Sequence, residues 1–216
     1  ILQSAINHTI LGTDESGAGG LGNQQKCVLI DNASNILIGS IESQLRVVMS
    51  GCTEAGLKLA GQATSTIRVL NTFFGVAPDG NNGVGNGGDG VLISESAHDN
   101  NIGGQGENEG NTIAFNGGAG VRIDDTAGTG NNVDPNVMFA NQGLGLDIGS
   151  QGATLNDPGD ADEGPNRLQN YPEISSFGVD GNGDLIVTYK VDSEIGPSDY
   201  GFNGIYVEFF RADNGN

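Results

Sequence analysis

The octet NGGDGVLI, Asn86–Ile93, is answered thirty residues later by NGGAGVRI, Asn116–Ile123. A glycine-rich turn running into a short apolar strand suits a phosphate loop, a calcium-binding repeat or one rung of a stacked scaffold. Repetition decides among them, so internal repeats come first. His8–Ile30 aligns with Asn71–Ile93 at an offset of 63, placing Gly12 on Gly75, Asn23 on Asn86, Val28 on Val91 and Ile30 on Ile93. Val47–Leu59 aligns with Asn111–Ile123 at an offset of 64. In one register the turn-plus-strand unit occurs five times, starting at residues 23, 52, 86, 116 and 141. The spacings of 29, 34, 30 and 25 residues lie in the solenoid range.

Between these units lie further short apolar runs, among them NILIG, RVVMS, TIRVL and NTIAF, which give about three strands per repeat. Glycine interrupts nearly every window that could carry an i, i+3, i+4 pattern, so α-helices are not expected. The strands are too short for a β-sandwich. Short strands at this period fit a parallel β-helix, expected here as right-handed with five to six coils, each lying about 4.8 Å above the last. Val28, Leu57, Val91, Val121 and Leu146 then form one inward column, and Ile30, Leu59, Ile93, Ile123 and Ile148 another. Asn23, Asn86, Asn116 and Asn141 form a third, able to bond amide to amide. Gly90, Gly120 and Gly145 are expected to supply turn conformations closed to other residues.

Composition agrees with a narrow core: 216 residues include 38 glycines and no Trp. A net charge of −19 with eight Lys and Arg excludes neutralising nucleic-acid phosphates. No apolar run is long enough to span a membrane. The chain begins ILQSAINHTIL, without a signal peptide, and stops at RADNGN after an expected strand, and it reads as a piece of something longer.

The stretches GNGGDGVLI, NTIAFNGGAGVRI and above all NQGLGLDIG with NDPGDADEGPNRLQNYPEI, which lie within 141–174, resemble bacterial right-handed parallel β-helix repeat proteins of the pectate-lyase-like superfamily. The resemblance covers roughly residues 7 to 174. It implies a secreted or cell-surface location, and a β-helix closed by this passage before a β-sandwich-like module. On this reading residues 1–155 are the β-helix, 156–170 an acidic closing loop and 171–216 an incomplete immunoglobulin-like segment of longer alternating strands, DLIVTYKVDS and NGIYVEFFRAD.

The same residues bear on five chemistries. Phosphate binding fails, because GNGGDG is followed by no helix and no Lys-Ser/Thr. Repeats of the GGxGxDxUx type need Asp at the sixth position, where this chain has Leu29, Lys58, Leu92, Arg122 and Asp147. Glycan cleavage would use outward carboxylates beside a cation, and Arg122, Asp124 and Asp147 fall within one coil of one another. The alternative is a surface ion pair, and the His-Gly and Arg-x-Lys elements of pectin hydrolases are absent. In NDPGDADEG, Asp157, Asp160 and Asp162 crowd like charge, so either a structural Ca²⁺ or solvent relieves them. DGNGD at 180–184 lacks an acidic twelfth position and reads as a hairpin turn. Cys27 and Cys52 stand in adjacent coils, as a disulfide or as two buried thiols.

The leading expectation is therefore a non-catalytic extracellular structural or adhesive segment of a larger surface or fibre-forming protein. Its partners would be copies of itself or neighbouring domains. The alternatives are a polysaccharide-active β-helix enzyme and a glycan-binding module without turnover.

Overall fold

A computed structural model describes residues 4–14, 16–17, 19–193 and 207. It is all-β, with two short 3₁₀ turns at Ser43–Leu45 and Pro165–Leu168 and no α-helix among the described residues. Fifteen strands form three parallel five-stranded sheets. The first sheet contains β1 (Ser4–Ile6), β4 (Ile36–Ile38), β7 (Arg68–Val69), β10 (Asn101–Ile102) and β13 (Asn132–Val133). The second contains β2 (Ile10–Leu11), β5 (Val47–Met49), β8 (Thr72–Phe74), β11 (Thr112–Ala114) and β14 (Val137–Phe139). The third contains β3 (Val28–Asp31), β6 (Leu57–Ala60), β9 (Val91–Ile93), β12 (Val121–Asp124) and β15 (Leu146–Gly149). Each consecutive strand triplet is one coil, and the five coils stack as in a β-helix.

The register matches the apolar sequence columns rung for rung. Val28 pairs with Leu57, Leu57 with Val91, Val91 with Val121 and Val121 with Leu146. Leu57, Val91 and Val121 have no exposed surface, whereas Leu146, on the fifth coil, is 41 % exposed. Coil stacking, not side-chain type, thus buries this column. Val69, Ile102, Phe74 and Ile113, from the other two sheets, fill the same interior.

Three asparagine ladders tie the corners. Asn86 Nδ2 donates to Asn116 Oδ1 at 2.9 Å, and Asn116 Nδ2 donates to Asn141 Oδ1 at 2.9 Å. Each amide also bonds backbone, as Asn116 does to the Phe74 carbonyl at 3.2 Å. Asn23 stands outside this ladder and is exposed. In the second coil its place is taken by Cys52, whose N–H donates to Asn86 Oδ1. Asn100, Asn131 and Asn166 build a second ladder, and Asn111 with Asn136 a third.

The glycine column works by space rather than by backbone freedom. Gly90, Gly120 and Gly145 are not among the positive-φ glycines. A Cβ on Gly90 would lie 2.4 Å from Ile113 Cγ2 and 2.6 Å from the Gly120 carbonyl. Gly145, on the last coil, has nothing nearer than Met138 Sδ at 3.6 Å.

Outside the second sheet a satellite core of Val48, Phe73, Val76 and Ala114 packs with Phe115. The guanidinium of Arg46 lies 4.1 Å from the centre of the Phe73 ring.

Two compact units are present: residues up to Ala153 together with Gly164–Asn166, and Thr154–Glu163 with residues from Arg167 on. The expected closing loop is thus shared, because Asn166 rejoins the β-helix as the last rung of the second ladder and accepts the Asn131 N–H at 3.0 Å. The second unit holds an antiparallel hairpin of β16 (Glu173–Val179) and β17 (Leu185–Lys190). Its turn is the DGNGD stretch, where Asp180 Oδ1 accepts the N–H groups of Asn182 and Asp184 at 2.8 and 3.0 Å. The expected strand at NGIYVEFFRAD lies outside the described residues apart from Val207.

Candidate functional site

The outer surface of the third sheet carries the column expected for chemistry. Leu29, Lys58, Leu92, Arg122 and Asp147 are in register across the five coils, and Asp124 lies two residues beyond Arg122 on β12. Ser94 follows the end of β9 and is buried, its hydroxyl facing the Leu59 carbonyl. Lys58 is committed to Glu95 at 2.6 Å.

Arg122 and Asp147 are neighbours, as the spacing predicts, but they do not form an open groove. Asp147 is only 4 % exposed. The chain after β15 turns back so that the Gly152 N–H donates to Asp147 Oδ2 at 3.1 Å. Asp147 Oδ1 and Arg122 Nε are buried without hydrogen-bond partners. Asp124 Oδ1 is held by the N–H and hydroxyl of Thr126, at 2.8 and 2.6 Å.

A fourth member, Asp89, comes from the turn before β9. Its Oδ1 accepts the Ala119 N–H of the next coil at 2.7 Å. Burial pushes its carboxyl above the ordinary value; the Ala119 N–H and the Arg122 charge oppose this, and Asp147 and Asp124 add to it. Three carboxylates therefore share the field of one guanidinium. The repeat gave little sign of Asp89, since Ala55 and Ala119 occupy the equivalent turn positions in flanking coils.

The acidic loop forms a second cluster. Asp157, Asp160 and Asp162 each offer a carboxylate oxygen, and the three oxygens lie within 4.8 Å of one another. Asn170, 3 % exposed, fixes the loop: its Oδ1 accepts the Asp157 N–H at 3.1 Å and its Nδ2 donates to the Asp157 carbonyl at 2.8 Å. The Asn170 N–H in turn donates to Asp160 Oδ1 at 2.8 Å. Asp157 Oδ1 and Asp162 Oδ1 are buried atoms with no hydrogen-bond partner. Burial, followed by the charges of Asp157 and Asp160, raises the Asp162 carboxyl above its ordinary value. An all-oxygen donor set suits a hard cation such as Ca²⁺.

Cys27 and Cys52 are joined in a disulfide with Cα atoms 5.6 Å apart, bracing the first two coils. No helix among the described residues is long and apolar enough to cross a membrane. The chain matches none of the protein-family models, curated proteins or solved structures with which it was compared.

Proposed function

We propose that this chain is a non-catalytic, extracellular structural segment of a larger bacterial surface or fibre-forming protein. We place its β-helix in the pectate-lyase-like superfamily and read its hairpin as the start of an immunoglobulin-like module. One observation carries the choice of scaffold over enzyme: Asp147, which a polysaccharide-cleaving site would need open to its substrate, is 4 % exposed and held by its own chain at Gly152. The Cys27–Cys52 disulfide supports an oxidising location. The paired, partnerless oxygens of Asp157 and Asp162 support a structural Ca²⁺ held with Asp160. Copies of the chain, or neighbouring domains, are the partners in this reading.

The test is electron microscopy and small-angle scattering of the chain, with Ca²⁺ and with a chelator, beside an assay for oligosaccharide release from acidic polysaccharides. End-to-end or strand-to-strand assemblies that loosen on chelation are expected. A monomer that releases oligosaccharides would make the chain an enzyme, and one that binds polysaccharide without releasing product would make it a glycan-binding module.

A further inference from the structure

We propose that Asp89, Arg122, Asp124 and Asp147 form an acid-responsive cluster, drawn from coils three, four and five on the outer side of the third sheet, which stabilises the fold when one carboxylate takes up a proton. The four residues come from three successive coils: the turn before β9, strand β12 and strand β15. Each carboxylate is pinned by a backbone N–H, Asp89 by Ala119, Asp124 by Thr126 and Asp147 by Gly152, so none can swing away to water without losing that bond. At neutral pH the cluster carries two negative charges more than its one guanidinium balances. Within the cluster Asp147 Oδ1, an acceptor, and Arg122 Nε, a donor, are both buried and without a hydrogen-bond partner. A buried carboxylate in excess of its counter-charge destabilises the fold, and a proton removes that excess at no cost to packing.

Asp89 is the member that takes the proton. Above it stand Arg122, Asp124 and Asp147. On the coil below, the charged groups are already paired, Glu54 with Lys26 and Lys58 with Glu95. Neither lysine is among the charges that act on Asp89. Its raised carboxyl means that the folded state binds the proton at a pH where the unfolded chain does not. Stability from this group consequently rises as pH falls through the raised value. It levels off at the ordinary carboxyl value, below which both states are protonated. Hydrogen-bonded carboxylates with lowered values lose their stabilising effect only below the ordinary carboxyl value, so the gain from Asp89 comes at higher pH than that loss.

The test compares thermal unfolding midpoints between pH 7 and the ordinary carboxyl range for the wild type, Asp89→Asn and the control Asp31→Asn. Asp31 is an exposed carboxylate on the same sheet. The amide introduced by Asp89→Asn keeps an oxygen for the Ala119 N–H but carries no charge. This substitution is expected to raise the midpoint at pH 7 by about 2–4 °C. It should also remove the part of the wild-type acid response that Asp31→Asn retains. An Asp89→Asn protein that is less stable than the wild type at pH 7, or whose pH profile coincides with that of Asp31→Asn, overturns the proposal.

Discussion

The β-helix and the hairpin use the same alternation of apolar and polar residues and reach opposite outcomes. In the β-helix, inward positions such as Leu59, Ile93 and Ile123 are fully buried because the next coil covers each one about thirty residues later in sequence. In the hairpin the partner strand is reached across a five-residue turn, and the apolar residues Ile174, Phe177, Val179, Leu185 and Tyr189 remain 42–81 % exposed. Strand pairing satisfies backbone groups in both regions, but only in the β-helix do three sheets face one interior and remove side chains from water. Among the described residues the β-helix is thus buried in its middle coils and more exposed at its last, while the apolar side chains of the hairpin are exposed.

The sharpest way to break this contrast is to disturb the spacing of the coils. Gly90→Ala forces a methyl group against the Ile113 side chain and the Gly120 carbonyl, and should cost about 3 kcal/mol or more, seen as a lower denaturant midpoint. Gly145→Ala, the same change where no coil follows, should stay within about 0.5 kcal/mol. Equal losses would show that a shared backbone conformation, rather than contact between coils, selects glycine.

A smaller loss is expected from Asn116→Ala. It removes bonds to Asn141 Oδ1 and the Phe74 carbonyl and strands the Asn86 amide, which should cost about 2–3 kcal/mol. In the hairpin turn, Asn182→Ala should be near neutral, since its side chain makes only a 3.5 Å contact to Asp180. Hydrogen exchange resolved by residue would report both, with faster exchange confined to coils three to five in the first case.

The smallest effect on stability is expected for Phe177→Ser, whose ring is 81 % exposed. Unfolding should shift by less than about 0.5 kcal/mol, while binding of an apolar dye falls. A large loss of stability would mean that the ring is already covered in solution.

The third-sheet columns were legible because period-two alternation and a fixed turn locate Val28, Leu57, Val91, Val121 and Leu146 without knowledge of anything else. Two of the asparagine ladders were written as plainly, in the doublets at Asn100 and Asn131 and in the Asn that opens NTIAF and NVMF, but each falls between strands of different length and so outside a single register. Asp147 illustrates the opposite limit. Alternation gave its direction correctly, outward from the sheet, whereas its burial depends on Gly152 folding back, a tertiary event with no local signature. The acidic loop lay between these cases: its three Asp residues were evident as a group, but Asn170, which orders them, is separated from Asp160 by ten residues of irregular chain.

The asparagine ladders also give the stack a polarity. In all three columns the amide nitrogen of the earlier coil donates to the amide oxygen of the later one, never the reverse. Each such nitrogen bridges coils, back to a carbonyl of the preceding coil and forward to the next amide, as Asn116 does between the Phe74 carbonyl and Asn141 Oδ1. On the last coil the backward bond remains, from Asn141 Nδ2 to the Ile113 carbonyl.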